Sequence, residues 1–348
     1  MMAEEWPIAA APAGSAHASA RDAGGRDRLS TVRVDFFLNP AERLTEQERA
    51  LMTAMLHCLV GDLADEIGAA LPPGTTAAND EGGVGLVETL SSARLLDRPA
   101  LVRLLLRRAD EELISTAARA RSGRRDARVL QGLVSHENGA IASAAMALIL
   151  ARGRRRDRFG QCLLDFDDLS AEEAVALAHA VAAGLRRELV AVHGARAADR
   201  RLVDAVARVL EEHEPANGIE ALTAMLIALL VEYDALSDEL IVAAALEGEM
   251  TFVAQALGHK SDLTGDIAMD ELLSGDTARV IAIMRIAGLS RESVASLLAG
   301  MGDLLGIDDP GRAITAFDAM SAADVESAGH WLGSDPAYRR SVAQLGDS

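Results

Sequence analysis

From Thr45 onward the apolar positions Leu51, Met52, Met55, Leu56, Leu59, Val60, Leu63 and Ile67 recur at spacings of three and four. That spacing lines one face of a helix and predicts a core-facing element, ended by Leu71-Pro72-Pro73-Gly74. The start has its own signature, a large apolar residue, then Ser or Thr, then an acid within about four positions. It recurs at Leu44-Thr45-Glu46, Leu169-Ser170 with Glu172, Leu236-Ser237-Asp238, Leu263-Thr264 with Asp266, Leu289-Ser290 with Glu292, and Met320-Ser321 with Asp324. The hydroxyl caps unpaired N–H groups, the acid faces the positive end of the helix dipole, and the apolar residue can staple onto the next turn. Thr45 with Glu48, and Ser170 with Glu173, have capping-box spacing.

Read this way, the chain predicts helices near 45–70, 86–96, 99–120 (with a possible break at Arg108), 126–134, 137–151 and 170–192. A second run follows near 198–213, 218–232, 237–246, 249–258, 264–273, 276–287, 290–304, 310–318 and 321–332. Two features of the second run repeat. Leu246-Glu247-Gly248-Glu249 matches Leu273-Ser274-Gly275-Asp276 at an offset of 27, and Leu263-Thr264 matches Leu289-Ser290 at an offset of 26. Paired short helices cannot bury their apolar stripes alone and must stack on neighbours. The expected fold is all-α: stacked antiparallel helix pairs in a HEAT-like array, read as lobes at 29–195 and 196–335. Residues 1–28 are rich in Ala, Gly and Pro without hydrophobic period and predict a disordered tail; 336–348 is read as a second tail.

Composition sharpens this picture. Half of the 348 residues are apolar, yet only 3% are aromatic, so the core must be built from Ala, Leu, Val, Ile and Met. Ala and Leu favour helix, whereas strands favour β-branched and aromatic residues. Cys58 and Cys162 form no CxxC and read as reduced, buried thiols. The apolar run 221–231, broken only by Thr223, is about half a membrane span. The first twenty residues lack the basic start of a secretory signal. These features predict a cytoplasmic protein.

Charge is segregated. Residues 1–93 carry −8, residues 94–208 carry +6 and residues 209–348 carry −17, within a total of −19. The total weighs against nucleic acid, which needs a basic surface, but leaves room for one basic face in the middle.

No recognised chemistry appears. The eight His residues form no HExxH, Asp165-Phe166-Asp167-Asp168 lacks the alternating ligands of a calcium loop, and Glu81-Gly82-Gly83-Val84-Gly85 lacks the Lys of a phosphate-binding loop. The acids at 165–168 read as electrostatic support for the coming helix. No metal, cofactor or catalytic residue is therefore expected. The best candidates are arginines at helix ends and loops: Arg121, Arg124, Arg125 and Arg128, then Arg152, Arg154, Arg155, Arg156 and Arg158. Few aromatic side chains accompany them, against single-stranded nucleic acid. Loops at one end of consecutive helix pairs share an edge, so these groups could merge into a strip suited to carboxylates.

The segments RLTEQERALMTAMLHCLVGDLADE from Arg43, LLDRPALVRLLLRRADEELIS from Leu95 and LVSHENGAIASAAMALIL from Leu133 resemble an uncharacterised, all-helical bacterial family, domain of unknown function 2336. The resemblance covers about residues 29–300. It implies a cytoplasmic bacterial protein of helical-repeat type and no activity.

The expected function is a non-enzymatic scaffold or adaptor that binds a protein partner in regulation. Its arginine strip would contact an acidic segment of that partner, or the chain's own acidic C-terminal lobe. The alternative is a sensor or carrier with an apolar cavity in the helices 218–257, lined by Met225, Met250 and Phe252.

Overall fold

The local signals close as drawn. Ser170, Ser237, Thr264, Ser290 and Ser321 each accept a hydrogen bond from the backbone N–H three residues on. Ser321 and Asp324 complete a reciprocal capping box. The Ser170 box is only half made, because Glu173 turns away from its own helix and takes both Nε and Nη2 of Arg98, at 2.6 and 3.0 Å. A bidentate pair to Arg outweighs a second cap bond.

The computed structural model describes residues 44–72, 82–122 and 128–345; the expected tail at 1–28 lies outside them. Among the described residues sixteen α-helices pack against one another, with no strand. They are α1 (Glu46–Ala70), α2 (Gly82–Ser92), α3 (Pro99–Ser122), α4 (Arg128–Val134), α5 (Gly139–Arg154), α6 (Ala171–His193), α7 (Ala195–Glu212) and α8 (Ile219–Glu232). Then come α9 (Asp238–Leu246), α10 (Met250–Lys260), α11 (Gly265–Leu272), α12 (Thr277–Ile286), α13 (Arg291–Met301), α14 (Pro310–Ala319), α15 (Ala322–Gly333) and α16 (Pro336–Leu345). The segment read as a C-terminal tail thus carries a helix. α3 passes Arg108 without the expected break.

Several helices end the same way. A residue at positive φ follows the last turn, and the next N–H reaches back to the carbonyl five residues earlier. Gly248 (φ 77) with Glu249 N–H to Ala244 O, Asp262 (φ 56) with Leu263 N–H to Gly258 O, and Gly288 (φ 69) with Leu289 N–H to Met284 O are examples. This satisfies carbonyls that the helix end leaves unpaired and explains why the repeated Leu-hydroxyl pairs sit where they do.

Two hydrophobic cores form, and they do not follow chain order. The first gathers α1, α2 and the start of α3 (Leu101, Leu105, Ala109) with α6 and α7. The second gathers the end of α3 (Ile114, Ala118), α4 and α5 with helices α8 to α14. The chain therefore passes from the first core to the second within α3, returns through residues 155–170, and crosses again at 213–218. Both cores are aliphatic, as the composition requires; Phe252 and Phe317 are the exceptions, both fully buried in the second.

Candidate functional site

The crossings bring charged side chains inward. Arg108 sits where α3 passes between the cores and is 5% exposed. Its Nη1 donates to Glu111 and its Nη2 to Glu220, each at 2.6 Å, while its Nε is buried without a partner. Arg155, on the return crossing, donates Nε to Asp168 at 2.8 Å and Nη2 to the Asn217 carbonyl at 3.2 Å. The Asp168 carboxylate is wholly buried. It also accepts the N–H groups of Asp165 and Ile219, each at 3.0 Å. One carboxylate thereby clamps the return crossing to the one that follows at 213–218. Asp167 accepts the Glu214 N–H at 2.8 Å, and Asp165 caps its own turn. The acids at 165–168 support the crossings more than the helix that follows, which differs from the sequence reading.

Electrostatics follows from burial. Burial alone would push Asp168 up, but Arg108 and the Arg155 hydrogen bond outweigh it and hold the carboxyl below its usual range. Burial also opposes the charge on Arg108, yet Glu220, Glu111 and Asp168 together keep it firmly protonated. Cys162, nearby, is pushed up to about 11 by burial and then by Glu112, so its thiol stays protonated and is a poor nucleophile.

Beside this clamp lies a cleft of about 310 Å³. Arg119, Arg152 and Arg156 stand at its rim, with side chains 35%, 28% and 35% exposed. Leu130, Ile149, Leu163 and Met250 provide an apolar lining. Arg156 donates Nη2 to Glu112 at 2.6 Å and Nη1 at 3.1 Å; Arg119 approaches the same Glu112 at 3.5 Å. Arg152 pairs with Glu249. Glu111 receives the Thr251 hydroxyl. Arg119 and Arg156 thus meet at Glu112, while Arg152 holds Glu249.

The structure places the nine arginines singled out in the sequence as follows. Arg152, Arg155 and Arg156 come together at the cleft. Arg121 pairs with Asp303 and also donates to the Gly300 carbonyl. Arg128 and Arg154 are exposed, as is Arg158, whose guanidinium lies 4.7 Å from the Phe159 ring centre. Arg124 and Arg125 lie outside the described residues. With Arg107, which holds Asp266 and Asp270 at 2.6 Å each, Arg121 and Arg152 tie the basic middle of the chain to its acidic C-terminal third. The three residues read as cavity-lining in the apolar alternative are spread out: Met250 lines the cleft, Phe252 is core and Met225 is exposed.

Sequence reasoning missed Glu111, Glu112, Asp168 and Glu249 as parts of one site. Glu111 pairs with Arg108 only three residues away, but the other contacts that join the site reach across the chain; Asp168 carried a signal in the acid cluster 165–168 and Glu249 one in its place in the repeat.

Asp110 makes a separate prediction. Burial, then Glu48 and Glu111 nearby, push its carboxyl up to about 7. An acid whose folded value exceeds its unfolded value of about 3.9 favours the fold at low pH. That contribution is lost as pH rises from about 4 to about 7. Asp110→Asn should remove this slope, so that thermal melts at pH 5 and pH 8 differ less than in wild type; an unchanged difference would refute the assignment.

Among the described residues no group of three or more His, Cys, Asp or Glu could hold a metal ion, and no helix is long and apolar enough to cross a membrane. No curated protein and no solved structure matches the chain. Residues 88–325, more than half the length, match a family described as uncharacterised proteins conserved in bacteria. An all-helical chain with that match belongs to the DUF2336 family.

Proposed function

We propose that this chain is a non-enzymatic adaptor that receives an acidic segment of a partner protein at the rim of the arginine cleft. The observation that carries the reading is the gathering there of Arg152 and Arg156, part-exposed beside an apolar lining, with Arg119 close to the Glu112 that Arg156 holds. A partner carboxylate would meet part-exposed guanidiniums beside an apolar surface, a combination that binds strongly once water is excluded. Exposed Arg154 and Arg158 follow closely in the chain and would raise the encounter rate with an acidic partner. In this reading the repeated helix pairs from α9 to α13 act as a HEAT-like support, and the protein works in the bacterial cytoplasm.

The test is fluorescence anisotropy of a labelled oligoglutamate peptide with the full chain at low and high salt. Binding should weaken with salt, and Arg119→Glu with Arg156→Glu should weaken it by about tenfold or more, roughly 1.4 kcal/mol. Salt-independent binding, or binding indifferent to the double reversal, would remove the reading. The cleft volume of about 310 Å³ also falls at the small end of ligand pockets, which favours a small-ligand sensor as the second reading. Native mass spectrometry of the purified protein would then show a bound small molecule.

A further inference from the structure

Glu249 is positioned unlike its counterpart in the repeat. Asp276, at the equivalent place, caps its own helix α12 by accepting the Ala278 N–H at 2.8 Å. Glu249 stands at the start of α10 and makes no cap bond. Glu is also a poor residue type for that task, since Asp, Asn, Ser and Thr reach their own backbone better. Its carboxylate is instead spent on Arg152 of α5, ninety-seven residues away in sequence.

The turn that carries it is seated firmly. Gly248 at φ 77 lies so close to α3 that a Cβ there would stand 2.5 Å from the Ser115 Cα. Glu247, one residue earlier, accepts the Val129 N–H of α4 at 2.9 Å. The turn 247–249 therefore presses an acidic strip of main chain against α3, α4 and α5, and Gly248 and Glu249 form part of the cleft wall. An acidic segment from outside would have to make the same kind of contact.

We infer that Glu249 is a built-in stand-in for the partner's carboxylate, so that partner and Glu249 compete for Arg152. The inference rests on the acidic-partner reading. A displaced Glu249 has somewhere to go: the uncapped start of α10, where the helix dipole favours an anion. The two arrangements exchange one carboxylate on Arg152 for another and leave no charge buried without a counter-charge. Affinity for the partner is lowered by the fraction of molecules in which Glu249 holds the site.

The experiment uses the same labelled oligoglutamate peptide and the full chain. Glu249→Gln should bind the peptide about tenfold tighter than wild type, Glu249→Ala likewise, and adding Arg152→Ala to either should erase the gain. Backbone amides of 251 and 252 in the wild-type protein should exchange hydrogen more slowly when the peptide is saturating, because the displaced Glu249 carboxylate takes up the start of α10, and no slowing would overturn the competition. That measurement needs no variant and decides the matter should the substitutions unfold the chain. If Glu249→Gln leaves affinity unchanged while the Arg119/Arg156 reversal still abolishes it, competition is wrong and the acidic-partner reading survives. If the peptide binds neither wild type nor Glu249→Gln, both fall.

Discussion

Asp168→Ala should cost about 3–5 kcal/mol of folding stability, the range for removing one partner from a buried ion pair. The loss has several parts. Arg155, 6% exposed, would keep its charge without the carboxylate that now lies 2.8 Å away. The N–H groups of Ile219 and Asp165 would lose their acceptor, and each buried unpaired donor adds to the cost. Arg108 would lose one of the three carboxylates that keep it charged. Urea unfolding at neutral pH reads the change as a lower midpoint at constant slope. Asp168→Asn, whose single carbonyl oxygen keeps an acceptor for one of the two N–H groups, should cost less. A drop below about 1 kcal/mol for the Ala variant would mean that the clamp does not join the crossings, since ordinary surface changes reach about 0.5. The pH dependence has a fixed sign. The folded value of Asp168 is depressed, so its contribution is complete above the unfolded value of about 3.9 and is lost as pH falls through the lower folded value. Wild type should therefore unfold in acid more steeply than Asp168→Asn.

The second large effect belongs to Gly248. An Ala there meets Ser115 Cα at 2.5 Å and Ser115 N at 3.1 Å, both backbone atoms that cannot rotate away. It also meets the left-handed φ, which costs an L-residue about 1–2 kcal/mol, and overpacking of this kind adds about 1–3. Gly275 supplies an internal control. It has nearly the same φ, 67 against 77, but open space around the missing Cβ. Gly275→Ala should show the conformational cost alone. The difference between the two variants in thermal or urea unfolding measures how tightly the α9–α10 turn is pressed onto α3. Equal losses would show that the close approach carries no energy, and would weaken the case for a firmly seated Glu249.

The helices were legible because their signals are local. The hydroxyl caps, the stripe from Leu51 to Ile67 and the Gly248 and Gly275 turns lie within one or two turns of what they specify. The clamp and the cleft were hidden for the opposite reason. Arg155 finds Asp168 thirteen residues on, Arg108 finds Glu220 after 112, and Arg121 finds Asp303 after 182. Nothing in the run Arg152 to Arg158 says that Arg155 turns inward while Arg154 and Arg158 face solvent. That division depends on which helix packs over each position. The Glu173 box failed similarly: its spacing is right for a cap, but Arg98, 75 residues earlier, offers the stronger bond.

The threefold passage between cores sets an order of assembly during synthesis. The first core takes its closing residues, Ala198 to Val209, from a helix that leaves the ribosome long after Leu63 and Leu105. Until then α1, α2 and the front of α3 emerge with their apolar stripes uncovered, and α4 and α5 wait for helices beyond Ile219. Such nascent surfaces are what chaperones engage. A fragment cut anywhere between 155 and 198 would leave the ribosome without a complete interior of either kind.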